Sequence, residues 1–279
     1  METYRGMDRA ALSDAYNNRG VVPDWEQYMA DWRQRSHILY ESAHCLRDLS
    51  YGPGNSRHRF DVFPGTEQAL PTVLYLHGGY WQWNNKEGQA FVAKGALSHG
   101  FSVAIGEHSL APEVSMTELV DEVANLVVAV SENARSAGRN PGVALVGMSS
   151  GAHLLALTLD MKEAVCALLI SGAYDLEPIR ISSLNDAIGL DWDEARRFSP
   201  LHRPHRVTKP VTLAFGSRER PEIRRQGTDF HEVLTERGLD SKLLPITDKD
   251  HFSVLETLED GAGVLCQAVT QVVQRCVVL

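Results

Sequence analysis

Short apolar runs alternate with longer amphipathic stretches along most of the chain. The runs at 72–76, 101–105, 143–146, 165–170, 211–215 and 242–244 predict strands, since each is short and rich in apolar or β-branched residues. Helical spacing covers 91–99, 118–137, 152–159, 221–237 and 262–273. In the second of these, Leu119, Val123, Leu126, Val127 and Val130 share one face, while Gly100 ends the first. Strand–helix alternation of this kind predicts an α/β fold with a mainly parallel central sheet and helices on both faces. One domain is expected over residues 1–279. Within it, 1–45 forms a polar N-terminal helical arm with Trp25, Tyr28, Met29 and Trp32 at helical intervals. The stretch from about 174 to 206 breaks the alternation and predicts an insertion that caps the carboxyl edge of the sheet.

Composition supports a packed core: 43% of the 279 residues are hydrophobic and 23% charged. Lys and Arg number 27 against 36 Asp and Glu, a formal charge of -9 that disfavours phosphate backbones and anionic lipid surfaces. The expected partner is therefore a small molecule, not nucleic acid or membrane, and a homodimer is compatible with the same surface. Cys45, Cys166, Cys266 and Cys276 show neither C-x-x-C nor zinc-type spacing, and Cys166 sits in an apolar run as a small buried residue. Neither a disulfide framework nor a metal or other cofactor is implied. The polar start of the chain and the lack of any long apolar run predict a cytoplasmic, soluble protein.

The chemistry centres on Gly147-Met148-Ser149-Ser150-Gly151, a G-x-S-x-G between a predicted strand and a predicted helix. At such a junction the motif makes a strained turn that lifts the serine hydroxyl clear of the sheet, so Ser149 is the expected nucleophile. His77-Gly78-Gly79 follows the strand at 72–76, where backbone N–H groups of Gly78 and Gly79 would join that of Ser150 in an oxyanion hole. Among 11 histidines, His251 follows the last predicted strand and is the expected base. His153 is expected to pack locally, and His202 and His205 to be exposed. The orienting carboxylate should follow the strand at 211–215, which offers Glu219 and Glu222; loop position favours Glu219. Tyr80 and Trp81 are expected to wall the pocket against a flat aryl group, with core filling as their other reading. Tyr16, Asn17 and Asn18 would fold over the mouth. Asn185 would hold a polar substrate group or cap a helix.

His77-Gly78-Gly79-Tyr80-Trp81-Gln82, with the downstream G-x-S-x-G, resembles the arylformamidase (kynurenine formamidase) branch of the α/β-hydrolases. Tyr16-Asn17-Asn18-Arg19, Leu110-Ala111-Pro112-Glu113, Tyr174-Asp175-Leu176-Glu177-Pro178 and Asp250-His251-Phe252 extend the resemblance over most of the chain. It implies hydrolysis of N-formyl-L-kynurenine to kynurenine and formate through a Ser-His-Glu triad and a formyl-enzyme. The sequence departs from the family at Glu219, where an Asp is usual, and at Ser150 and Ala152, where relatives often carry Ala and Gly. A carboxylesterase of small aryl or short-chain esters is the alternative within enzymes, and a binding module without catalysis the alternative outside them.

Overall fold

The computed structural model describes residues 2–53, 55–203 and 209–277. His205 and Arg206, at the end of the expected insertion, lie outside the described residues. The chain opens with α1 (Arg9–Ala15), capped by Asp8, and α2 (Trp25–Ser42). β1 (Leu46–Ser50), β2 (Arg59–Phe63) and β3 (Thr72–Leu76) follow, then α3 (Ala93–Ser98), β4 (Val103–Gly106), α4 (Met116–Ser136) and β5 (Val143–Met148). Next come α5 (Ser150–Ala156), β6 (Ala164–Ile170) and three short helices, α6 (Glu177–Ile181), α7 (Asn185–Ile188) and α8 (Trp192–Arg197). β7 (Val211–Gly216), α9 (Pro221–Glu236), β8 (Ser241–Ile246) and α10 (Val264–Val277) complete it.

The eight strands form one sheet in the order β1-β2-β4-β3-β5-β6-β7-β8. β1 and β2 run antiparallel to their neighbours, and the other strands pair in parallel, which is the α/β-hydrolase arrangement. Register aligns the carboxyl ends: Leu76 lies beside Gly147, Met148 beside Ile170, and Gly216 beside Ile246. The loops leaving β3, β5, β7 and β8 therefore open on one edge, as open α/β sheets require of a ligand site.

Side chains alternate between two cores. Leu74, Leu76, Leu145 and Leu169 pack with α4, α5 and α9 on one face; Val73, Tyr75, Val146 and Leu168 pack with α3 and α10 on the other. With both faces covered, β3 and β5 read as continuous apolar runs. A capping box formed by Ser115 and Glu118 starts α4, whose predicted stripe from Leu119 to Val130 is buried. The N-terminal arm lies against the far side of the site: Trp32 stacks on Phe91 with ring centroids 5.6 Å apart, and Tyr28 on Phe252 at 6.0 Å. No helix among the described residues is long and apolar enough to cross a membrane.

The antiparallel pair β1 and β2 was not among the predicted strands. β1 reads Leu-Arg-Asp-Leu-Ser and is mostly exposed, while β2 carries a fully buried Asp61 among its apolar residues. Asp61 accepts hydrogen bonds from Lys86 Nζ at 2.8 Å, Tyr40 Oη at 2.6 Å and the Asp48 backbone N–H at 2.7 Å. Lys86 is buried in turn, so neither charge is released to water. Lys86→Met should therefore destabilise the protein by about 3–5 kcal/mol, since it strands a buried carboxylate without its cation. The urea midpoint measures this, and Lys86→Met with Asp61→Asn should recover much of the loss.

Candidate active site

β5 ends at Met148, and Ser149 then adopts φ 54°, ψ -118° before α5 begins at Ser150. A non-glycine residue in that region stores about 1–3 kcal/mol of strain, held here by a backbone hydrogen bond of 2.7 Å from Ser149 N to Ile170 O. The turn closes because Gly151 carries no side chain: a Cβ there would lie 2.3 Å from the Leu76 carbonyl oxygen and 2.5 Å from that of His77. Ser149 opens on a cavity of about 490 Å³ that Gly78, Gly79 and His251 also line.

The loop after β3 meets this turn closely. A Cβ on Gly78 would sit 2.8 Å from Met148 O and 2.9 Å from Ser149 Cβ. The Gly78 carbonyl faces His77 Nδ1 at 2.9 Å and accepts from Asn84 Nδ2 at 2.8 Å. In a trans peptide the Gly79 N–H points the opposite way, and among the described residues no backbone acceptor takes the N–H of Gly78 or Gly79. Behind the loop, Glu107 Oε1 accepts from Arg57 Nη2 at 2.8 Å and the His108 N–H at 3.0 Å, and lies 2.8 Å from His77 Nε2. Its Oε2 accepts from the Lys86 N–H at 3.0 Å. Burial would raise the Glu107 pKa, but the charge and hydrogen bond of His77, with Arg57, outweigh it and hold it at about 2. His108 stacks on His77 at 4.6 Å and is held neutral by burial, at about 3. Sequence reasoning missed Glu107 and Asn84. The available signal was a carboxylate in Gly106-Glu107-His108, directly after an apolar strand.

His251 Nδ1 lies 2.7 Å from Glu219 Oε2, with the carboxylate fully buried. The other oxygen of Glu219 accepts from the Gly216 N–H at 2.7 Å and from Ser171 Oγ at 2.6 Å. Ser171, another residue missed in the sequence, stands at positive φ (53°) just beyond β6. Glu222 is turned away: Arg225 binds it at 2.8–3.1 Å, and Tyr16 Oη approaches at 3.4 Å. Of the two carboxylates, only Glu219 is within hydrogen-bond distance of the imidazole.

Tyr80 lines the cavity, and so do Tyr16, Asn17 and Asn18. Tyr80 Oη donates to the Tyr16 carbonyl at 2.6 Å, which ties the arm to the loop after β3. Trp81 is corrected from a pocket wall to core: it is fully buried, and its Nε1–H donates to His153 Nδ1 at 3.3 Å. His153 in turn bonds the Phe198 carbonyl through Nε2 at 2.8 Å, and burial lowers its pKa to about 4. Asn185 is corrected from a substrate contact to a loop clip, since its amide uses both ends on the backbone of Leu190, at 2.7 and 2.9 Å. Its neighbours Ser183 and Leu184 line the cavity instead. Ser150 Oγ is buried, with no hydrogen-bond partner among the described residues. His202 is half-exposed, 3.7 Å from Asp175.

The BD-FAE family pattern matches residues 61–168. The kynurenine formamidase of Salmo salar is 32% identical over 235 residues, covering 78% of this chain and 79% of that protein. That of Danio rerio is 29% identical over 245 residues, covering 82% of each. A protein from Silicibacter sp., solved as a candidate thioesterase, superposes with a TM-score of 0.84 at 29% identity, covering 93% of this chain and 98% of its own.

The depressed pKa of Glu107 sets an acid limit on the folded loop. Its folded value of about 2 lies below the ordinary 4.5, so its stabilisation is complete above pH 4.5 and is lost as pH falls toward 2. The shift corresponds to about 3 kcal/mol. Urea midpoints measured between pH 7 and pH 3 should fall less steeply with acid in Glu107→Gln, which should also be less stable at pH 7. An unchanged acid limb would show that the stabilising carboxylate lies elsewhere.

Proposed function

Since the chain belongs to the kynurenine formamidase family of α/β-hydrolases, and is a hydrolase of the formamide and ester type, we propose that it cleaves N-formyl-L-kynurenine to L-kynurenine and formate. The observation that carries this reading is the 2.7 Å contact between His251 Nδ1 and Glu219, behind an imidazole that shares its cavity with Ser149. Ser149 Oγ attacks the formyl carbon while its proton passes to His251 Nε2. Glu219 keeps the remaining proton on Nδ1 and balances the imidazolium charge. The backbone N–H groups of Gly78, Gly79 and Ser150 take the oxyanion, each worth about 3–4 kcal/mol of barrier in comparable sites. His251 then protonates the departing aniline nitrogen. Water, deprotonated by the same imidazole, attacks the formyl ester and releases formate with Ser149 restored.

The Tyr80 ring beside the oxyanion loop suits the flat aryl leaving group, and a formyl group needs almost no room on the acyl side. The same groups would also cleave small aryl esters, so substrate preference decides between the two activities. Ser149→Ala and His251→Ala should each lower kcat by at least about 10⁴-fold, with Glu219→Ala retaining roughly tenfold more activity than either. Glu222→Gln should lose far less than Glu219→Ala; the reverse order would reassign the acid. Steady-state kinetics on N-formyl-L-kynurenine and p-nitrophenyl acetate side by side measure all of this. Rapid ester cleavage with negligible formamide cleavage would make the enzyme a carboxylesterase.

A further inference from the structure

Arg19 lines the cavity near its mouth, with its guanidinium carbon 4.3 Å from the Trp25 ring centroid and 4.6 Å from that of Trp83. Indole faces stabilise a cation through their π-electrons, but they use none of its N–H groups. Those donors radiate in the guanidinium plane, which leaves its edge open to a planar anion. Among the described residues no carboxylate pairs with Arg19. Asp14, the carboxylate among the residues that line the cavity, is already paired with Arg220 at 3.0 Å through both oxygens. The unbalanced charge at the mouth is therefore positive, in a protein whose net charge is -9.

The adjacent residue supplies an independent sign of a ligand. Asn18 is only 4% exposed, and its Oδ1 has no hydrogen-bond partner. The orientation of this amide follows from its neighbours: Tyr80 Oη commits its proton to the Tyr16 carbonyl, so it can only accept from Asn18, as Nδ2 does at 3.1 Å. Oδ1 is thereby left as a buried acceptor without a donor, on a residue that lines the cavity. From these two residues we infer that the arm carries a subsite for the amino-acid end of the substrate. Arg19 takes the α-carboxylate through its in-plane N–H groups, and Asn18 Oδ1 takes the α-ammonium. This assignment rests on the formamide reading for the atom that reacts, but it depends on different residues.

The test compares kcat/KM within each enzyme preparation, so that the ratios do not depend on the folded fraction. Four formamides are used: N-formyl-L-kynurenine, its carboxamide, its des-amino analogue, and N-formylaniline. O-Acetyl-L-tyrosine and p-tolyl acetate form a matching ester pair with and without the zwitterionic tail. The wild type should favour the full substrate over the carboxamide and over the des-amino analogue by about tenfold or more in each case. Arg19→Gln should erase the first preference through a rise in KM and keep the second; Asn18→Ala should do the opposite. Equal losses on charged and neutral substrates would reduce both residues to structural roles and overturn the subsite. If formamides are inert while O-acetyltyrosine is favoured in an Arg19-dependent way, the subsite stands and the formamide reading fails. Brisk N-formylkynurenine turnover without charge discrimination would sink the subsite alone.

Discussion

The site depends on two backbone turns packed so closely that neither Gly78 nor Gly151 could carry a side chain where they meet. The turn after β5 sits against the carbonyls of Leu76 and His77, and the loop after β3 sits against Met148 and Ser149. This contact puts Ser149 on one cavity with Gly78 and Gly79, whose N–H groups have no backbone acceptor among the described residues. It also explains why glycines and a strained serine occur at these positions. Parallel register brings the two loops to the same height, and the absence of Cβ atoms lets them touch.

Buried charge stabilises this arrangement from behind. Glu107 draws Arg57, His77 and two backbone N–H groups onto one carboxylate, while Lys86 links that region to Asp61 on the antiparallel strand. Each group is costly to bury alone, and each is satisfied by several partners. Glu219 repeats the principle on the other side of the cavity, with one oxygen held by Gly216 and Ser171 and the other left for His251. A carboxylate fixed in this way gives the imidazole a single orientation.

The centre of the sheet was legible in the sequence because β3, β5, β6 and β7 are covered on both faces, and continuous apolar runs follow from that. The elbow was legible because two glycines flank a serine at a strand–helix junction. The antiparallel edge was not, since the burial of Asp61 depends on Lys86 and Tyr40, both distant in sequence. The same limit applied to Trp81: adjacency to Gly78 and Gly79 suggested the pocket, but the indole is buried against His153, a partner 72 residues away in sequence. Asn185 failed for a local reason, because its amide closes a loop with Leu190. Glu107 and Ser171 act through contacts that no motif spacing records.

The tie between Tyr80 and the carbonyl of Tyr16 joins two parts of the molecule that lie 64 residues apart in the chain. Loops of the sheet hold Ser149 and His251 among glycines and a buried carboxylate. The first helices and the short turn between them add Asp14, Asn17, Asn18 and Arg19 to the same cavity. The opening segment thus shares one cavity with the loops of the sheet, so a change in it reshapes the space in front of Ser149 as well as the arm itself.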